Sequence, residues 1–269
     1  MFLDKIKKRW PNIEHIKGKG NGRESKEERE RFTKESDLDD KIIVRKHLEP
    51  LIGIESLPKL YYSGPVEDCV FRDIPLPFVI KTRCQSGGCK VVTSLEGNTI
   101  DLLKSFYKKA WSYRGMNNDV IIEEKLDVKC PNERFKSCDY HYELMTFGGK
   151  VKNIIYHVDI NSNQKKVLPY YPDWKRNMLY SNSVLPMDVE IPKPENLEKL
   201  FEFGEKCAEY YCNYTTIPHV RISVYELKNG KYIFGEYTGA TTGGGGGSTE
   251  YQKQMSNWWM ESAPNTWLK

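Results

Sequence analysis

A lysine and a glycine turn stand where the phosphates of a nucleotide could bind. The apolar run Phe78-Val79-Ile80 predicts a buried strand that ends at Lys81, and Ser86-Gly87-Gly88 follows as a turn. An ammonium group offers a point charge to a phosphate, and glycines let backbone N–H groups approach its oxygens. The turn is no Walker A loop, which requires GxxxxGK[ST]. An ordinary hairpin with an edge lysine accounts for the same pattern.

Two carboxylates follow a second apolar strand. The predicted strand runs from Asp119 to Glu124, and its last two residues, Glu123 and Glu124, come directly after Val120-Ile121-Ile122. Carboxylates in this position could face a base and a ribose. The alternative is a solvated strand end.

A third candidate is the pair Arg221 and Glu236, on strands joined by the turn Asn229-Gly230. An inward carboxylate such as Glu236 is costly unless it is paired or bound to a metal. Arg221 could neutralise it, or a developing anion. A structural Arg–Glu cross-strand pair is the alternative interpretation.

The elements that must position these residues are short hairpins separated by single helices. Helical spacing covers three segments, 37–53, 99–111 and 194–210, and paired strands flank Gly87-Gly88, Gly148-Gly149 and Asn229-Gly230. Residues 160–192 are predicted to be irregular. The end of the sequence is predicted to be an aromatic tail with Trp258, Trp259 and Trp267. This order indicates an α+β fold with mainly antiparallel sheet.

Composition excludes several classes of protein. The 269 residues suggest one or two domains. All of the net charge of +4 falls in a basic N-terminal arm, residues 1–36, so the rest is balanced and nucleic-acid binding is not expected. No apolar run is long enough for a transmembrane segment. Seven cysteines without a CxxC pair favour free thiols and a cytoplasmic location.

Taken in order, the motifs resemble the ATP-grasp superfamily, and most closely its TupA-like branch, named for teichuronopeptide biosynthesis. The similarity covers about residues 38–260. The family patterns are "DK…vR.yv", "LP..fVlK", "hgSGg", "iiEEyL", "DYK.y.FnGkv" and "RvDfY…gkiyFGElT". Their counterparts here are Asp40-Lys41 with Arg45, Leu76–Lys81, Ser86–Gly88, Ile121–Leu126, Asp139–Val151 and Arg221–Thr238.

The resemblance implies an ATP-grasp fold, in which two α+β lobes with mainly antiparallel sheets sandwich a nucleotide. Residues 37–122 would form the N-terminal part and the small lobe, and residues 123–269 the C-terminal lobe with the metal site.

The resemblance also implies roles in binding ATP. Lys81 would contact the α- or β-phosphate, and the loop of Ser86, Gly87 and Gly88 would close over the phosphates. The hinge beside the adenine would be Glu123, Glu124, Lys125 and Leu126.

The remaining implied roles concern ribose, metal and the reacting groups. Asp139 is placed to bind ribose. Glu236 would bridge magnesium ions, and Thr238 stands where many ATP-grasp enzymes keep a metal-binding Asn. Arg221 would stabilise an acyl phosphate or a tetrahedral species.

Three positions depart from the family. Ser223 replaces an aspartate expected to bind metal, and we considered Glu226 or Glu250 as substitutes. His141 replaces the lysine of the "DYK" motif. Arg83 stands in the part of the loop that reads "nHg" in the family, where it could take over a phosphate contact.

The reaction class that the family implies is ATP- and Mg²⁺-dependent ligation of a carboxylate to an amine through an acyl phosphate. In the TupA-like branch the substrate would be a polysaccharide, a uronic acid, or an amino acid or peptide. Two alternatives stay open: a kinase of the same superfamily acting on a hydroxyl, and a non-catalytic module that binds nucleotide or glycan.

Overall fold

The computed structural model describes residues 26–84, 88–108, 119–130, 141–158, 166–180, 190–239 and 247–262. These residues divide into two compact units, a small unit of residues 36–126 and a large unit of residues 26–35 and 127–262. Along the chain the division falls four residues after the predicted lobe boundary. Residues 1–25 of the predicted arm lie outside the described residues.

The small unit is built on a four-stranded antiparallel sheet in the order β1-β4-β2-β3. Its elements are α2 (Lys41–Ile52), β1 (Leu60–Pro65), β2 (Phe78–Thr82), β3 (Lys90–Val92), α3 (Thr99–Lys108) and β4 (Asp119–Glu124). Helix α1 (Lys26–Asp39) precedes them in the chain. One face of the sheet forms the core with α3, through Phe78, Ile80, Ile122, Leu103 and Tyr107. Strand alternation therefore places Lys81 and Glu123 on the other face.

The large unit is built on a five-stranded antiparallel sheet in the order β7-β6-β5-β8-β9. Its elements are β5 (His141–Phe147), β6 (Lys150–Val158), β7 (Lys166–Tyr170), α4 (Leu197–Thr215), β8 (His219–Glu226), β9 (Tyr232–Thr238) and α5 (Thr249–Ser262). The two sheets with their helices confirm the predicted mixed α+β class.

Helix α4 packs closely on one face of this sheet. A Cβ atom at Gly204 would lie 2.2 Å from Cδ1 of Leu144, and the Tyr237 hydroxyl donates to the Cys207 carbonyl at 2.7 Å. Since neighbouring residues of a strand point to opposite faces, Glu143, Arg221, Ser223 and Glu236 lie on the face away from α4.

Two expectations were wrong. Residues 166–170, within the segment predicted to be irregular, form the edge strand β7, which tolerates Pro169 because an edge position does not need every backbone N–H for the ladder. The predicted aromatic tail contains helix α5, whose buried Tyr251, Met255 and Trp259 recur every four residues.

Two further observations concern the cysteines and the helices. None of the described cysteines forms a disulfide. In the described part of the chain, no helix has both the length and the apolar character needed to cross a membrane.

Candidate functional site

In the small unit, Lys81 is held by a buried carboxylate. Its Nζ lies 2.7 Å from Oε2 of Glu123, and Nη1 of Arg45 lies 3.1 Å from Oε1 of the same carboxylate. Glu123 is 4% exposed. A carboxylate buried to this degree requires opposite charge, which Arg45 on α2 and Lys81 on β2 supply. The side chain that sequence analysis assigned to the adenine hinge thus fixes the lysine assigned to the phosphates.

Arg83 forms ion pairs with two aspartates of the small unit. Its Nε lies 3.0 Å from Oδ2 of Asp40, and its Nη1 lies 3.3 Å from Oδ2 of Asp119. Asp40 also caps α2 by accepting hydrogen bonds from the backbone of Ile42 at 2.9 Å and Ile43 at 3.2 Å. Burial raises the pKa of Asp40, but these hydrogen bonds and the Arg83 charge outweigh burial and hold it below its ordinary value.

The other predicted nucleotide contacts of the small unit are only partly described. The Gly88 carbonyl accepts a hydrogen bond from the Tyr107 hydroxyl, whereas Ser86 and Gly87 lie outside the described residues. Oε1 of Glu124 accepts from the Lys59 backbone at 2.8 Å. Lys125 and Leu126 follow β4 and are half-buried.

A cavity of about 580 Å³ opens beside Glu124, between α2 and β1. Its lining combines apolar side chains with charged ones. They are Ile42, Ile54, Leu57 and Leu60 with Arg45, Lys46, Lys59, Glu49, Glu55 and Glu124.

In the large unit, strand register places the predicted residues in two rows on one face. Glu143 of β5 pairs with Ser223 of β8, which pairs with Glu236 of β9. In the adjacent row, Met145 pairs with Arg221, which pairs with Thr238. Paired residues of antiparallel strands project to the same face, so both rows form one surface.

Arg221 forms its ion pair with Glu143 and not with Glu236. Its Nη1 lies 3.1 Å from Oε1 of Glu143, and its Nη2 donates to Oγ1 of Thr238 at 3.0 Å. Its Nε is buried and has no hydrogen-bond acceptor among the described residues. A structural Arg–Glu cross-strand pair is therefore present, but its acid is on β5.

Glu236 and Ser223 have no such partner. Glu236 is half-buried, and within the described residues its carboxylate accepts no hydrogen bond and forms no ion pair. Ser223 is 3% exposed, and its hydroxyl likewise makes no hydrogen bond in that part of the chain. Buried polar groups normally have partners, and where the protein supplies none, water or a ligand does.

A bulge fixes the position of Glu236. Ser223 pairs with Glu236 and Val224 with Phe234, so Gly235 is the extra residue on β9. A Cβ atom at Gly235 would lie 3.0 Å from the Ser223 carbonyl oxygen and 2.9 Å from the Tyr225 ring. The glycine thus allows the close approach that sets Glu236 opposite Ser223.

His141 is the last predicted residue in this group, because Asp139 lies outside the described residues. Its Nε2 lies 3.7 Å from Oε1 of Glu143, and its ring centroid is 5.4 Å from that of Tyr225. His141 is thus a second basic group at the same carboxylate.

The charge of Glu143 also acts on two tyrosines. Burial and then the charge of Glu143 raise the pKa of Tyr180, and Arg221 partly offsets the rise. Burial, Tyr180 and Glu143 raise the pKa of Tyr251 well above its ordinary value, although a hydrogen bond with Asn153 lowers it. These phenols stay protonated at neutral pH and can donate hydrogen bonds near the site.

Sequence analysis missed Glu143. Its signal was a charged residue within the run Tyr142 to Phe147, in the middle strand of the sheet, where a carboxylate must be compensated. Neither acid considered as a substitute joins this surface. Glu226 binds Lys129 at 3.0 Å and the Tyr142 hydroxyl at 2.8 Å, and the exposed Glu250 binds Lys253 at 2.9 Å.

The oxygen ligands on this surface of the large unit suit a divalent cation that also binds phosphates. Mg²⁺ is usually held by one or two carboxylates together with the substrate's oxygens, and the half-buried Glu236 carboxylate lacks a protein partner in the described part. Within the same described ranges, no group of three or more His, Cys, Asp or Glu side chains is placed so that it could hold a metal ion.

Comparison with known families supplies the deciding observation. The family model of TupA-like ATP-grasp proteins matches residues 23–262. The chain belongs to the TupA-like ATP-grasp family. None of the curated proteins matches the sequence significantly.

The solved structures that match this chain are much longer than it is. An L-amino acid ligase from Bacillus licheniformis is 15% identical over 77% of this TupA-like chain and 42% of its own, with a TM-score of 0.44. N5-carboxyaminoimidazole ribonucleotide synthetase from Thermotoga maritima is 14% identical over 75% and 42%, with a TM-score of 0.40. The ATP-grasp ligase PsnB, in complex with a phosphomimetic variant of its minimal precursor, Mg and ADP, is 12% identical over 77% and 52%, with a TM-score of 0.46. This chain therefore spans about half the length of these structures.

Proposed function

We propose that this chain binds ATP with Mg²⁺ and joins a carboxylate to an amine through an acyl phosphate. The observation that carries the proposal is the surface of the large unit on which the Arg221 guanidinium adjoins Glu236, a carboxylate without a described partner. Membership of the ATP-grasp family supports nucleotide binding. We propose an amino acid, a peptide, or a uronic acid of a polysaccharide as the carboxylate substrate.

In this proposal the small unit holds the nucleotide. Lys81 contacts the α- or β-phosphate, and Glu123 and Arg45 keep its ammonium group in place. The cavity beside Glu124 combines apolar and polar lining, which suits a ring such as adenine. The loop of Ser86, Gly87 and Gly88, which follows Lys81 in the sequence, closes over the phosphates in this proposal.

In the large unit, Glu236 and Thr238 would hold magnesium, which when bound neutralises phosphate charge and polarises the transferred phosphoryl group. A carboxylate oxygen of the substrate attacks the γ-phosphorus, and the bond to ADP breaks. The amine then adds to the acyl carbon, loses its proton and expels phosphate. Arg221 would stabilise the negative charge that develops in both steps, because its guanidinium is fixed by Glu143 and Thr238.

Product analysis tests this proposal. The chain is incubated with Mg-ATP and panels of amino acids, uronic acids and amines, and ADP, phosphate and amide are measured. Glu236→Gln should abolish amide formation, whereas Glu209→Gln, on the exposed side of α4, should not. A phosphoester in place of an amide would establish the kinase alternative. Tight ATP binding without any product would establish the non-catalytic module, and the absence of ATP binding would refute all three.

A further inference from the structure

The position of Ser223 between two carboxylates calls for explanation. Glu143, Ser223 and Glu236 occupy directly paired positions on three neighbouring strands and project to the same face. Adjacent strands lie about 4.8 Å apart, so Glu143 and Glu236 start roughly 10 Å apart across the serine. Each glutamate has a side chain long enough to lean toward the other over the small serine. The row therefore places the small side chain of Ser223 between two acids.

The basic groups near this row are unevenly distributed between its two acids. Arg221 and His141 both approach Glu143, at 3.1 and 3.7 Å. Glu236 has no partner within the described residues, and the hydroxyl of Ser223, a residue that is 3% exposed, makes no hydrogen bond there either. A hydroxyl and a half-buried carboxylate that lack partners and project to one face indicate a ligand able to satisfy both. Since both groups can present oxygen, a hard cation is the chemistry they fit.

The buried Nε of Arg221 is a second unsatisfied group beside the same row. As a donor it cannot bind a metal, but it can donate a hydrogen bond to an anion. A cation with phosphate oxygens would therefore satisfy the three groups together, which neither a cation nor an anion alone could do.

We propose that Glu143 supplies the second carboxylate of the magnesium site from β5, across Ser223 from Glu236. The proposal rests on the proposed function, because it concerns the metal that accompanies ATP. In it, the carboxylate missing from position 223 is moved to the paired position on the next strand. Glu143 then has two roles, since it orients Arg221 and also contributes charge to the metal.

Manganese binding in the presence of ADP tests this placement without relying on turnover. Bound Mn²⁺ is measured by electron paramagnetic resonance, and ADP binding is measured by calorimetry with Mg²⁺ and with EDTA. Glu143→Gln should raise the Mn²⁺ concentration for half-saturation by at least about tenfold. It should weaken metal-free ADP binding far less, because only its contact with Arg221 acts when the metal is absent. The matched control is Glu226→Gln, a buried acid bound to Lys129 at the end of β8, and it should behave like the wild type.

Moving the carboxylate back gives the sharper result. The double variant Glu143→Gln with Ser223→Asp should recover most of the Mn²⁺ affinity. If Glu143→Gln binds Mn²⁺ like the wild type, the proposal is wrong. It is also wrong if the variant loses metal-free ADP binding to the same extent and Ser223→Asp does not restore it, since Glu143 would then act only through Arg221.

Two further outcomes separate the remaining cases. If Glu143→Gln does not fold, Ser223→Asp alone should lower the half-saturating Mn²⁺ concentration, and an unchanged or higher value overturns the proposal. If the wild type binds neither ADP nor Mn²⁺, the proposed function fails and this inference fails with it. Wild-type binding that is insensitive to Glu143 overturns only the inference.

Discussion

Lys81 and Glu123 form an ion pair of 2.7 Å across neighbouring strands, and Arg45 holds the other oxygen of the same carboxylate at 3.1 Å. The two cations are not equivalent. Lys81 lies on β2, where the sequence predicts a phosphate contact, whereas Arg45 lies on α2. Glu123 therefore ties a helix to the strand that carries the lysine.

This geometry predicts that replacing Glu123 destabilises the protein more than replacing Lys81. Glu123→Gln leaves two partly buried cations without their counter-charge and should lower the free energy of unfolding by roughly 3 kcal/mol. Lys81→Met leaves Glu123 paired with Arg45, so the loss should be smaller. Urea denaturation measures both, with the exposed Glu67→Gln as control. Equal losses in the two variants would contradict the prediction.

Replacing Lys81 should affect nucleotide affinity more strongly than it affects stability. Losing one charged contact to phosphate weakens binding by about 1.5–3 kcal/mol, so Lys81→Met should raise the dissociation constant of Mg-ADP by about tenfold or more. Calorimetry measures this constant, and Lys108→Met, an exposed lysine of the same unit, is the matched control. Unchanged affinity in Lys81→Met would remove this lysine from the phosphate site.

The Asp40–Arg83 pair predicts a pH dependence of stability. The pKa of folded Asp40 lies below the ordinary value of 3.8, so its contribution is present above pH 3.8 and is lost as the pH falls through the lowered value. Asp40→Asn should lower the free energy of unfolding at pH 7 by about 1–3 kcal/mol, although asparagine can still cap α2. The difference from the wild type should shrink below pH 3.8.

Urea denaturation from pH 7 to pH 2.5 measures this difference. The control is Asp127→Asn, whose ion pair with Lys228 lies in solvent and should contribute little. A difference between Asp40→Asn and the wild type that stays constant over the whole range would show that the charge of Asp40 is not responsible.

The sequence predicted the elements whose pattern is local. Strand Asp119–Glu124 was predicted to the residue, because an unbroken apolar run ends in two acids. Helix α2 begins one residue after Asp40, an N-cap residue within the predicted range. The order of hairpins was enough to predict the sheet class and, through the motifs, the family.

The contacts that assemble the site could not be predicted in the same way. Arg83 is 43 residues from Asp40 and Arg221 is 78 residues from Glu143, and no local pattern identifies such partners. Arg221 was therefore matched with Glu236, its neighbour in sequence across a hairpin, although register sets Thr238 opposite it. The missed helix α5 shows a different limit, because its apolar stripe is narrow and its other residues are mostly polar.

The cysteines should differ widely in reactivity. Burial raises the pKa of Cys207 to about 12 and that of Cys69 to about 11, whereas Cys89 and Cys130 are exposed. The thiolate is the reactive form, so an alkylating reagent at pH 7.5 should modify Cys89 and Cys130 long before the two buried thiols. Peptide mass spectrometry over a time course measures the order. Labelling of Cys207 at the rate of Cys89 in the folded protein would show that α4 is not packed as described.

The contact between Gly204 and Leu144 predicts an unusual response to alanine. Gly→Ala in the interior of a helix normally stabilises by about 0.5–1 kcal/mol. Here the added methyl group would lie 2.2 Å from Cδ1 of Leu144. Overpacking costs about 1–3 kcal/mol, so Gly204→Ala should lower the free energy of unfolding.

Leu144→Val shortens the opposing side chain, and the double variant should therefore be more stable than the sum of the two single changes predicts. Urea denaturation of the four proteins measures this coupling, and strictly additive effects would refute close packing of α4 against β5.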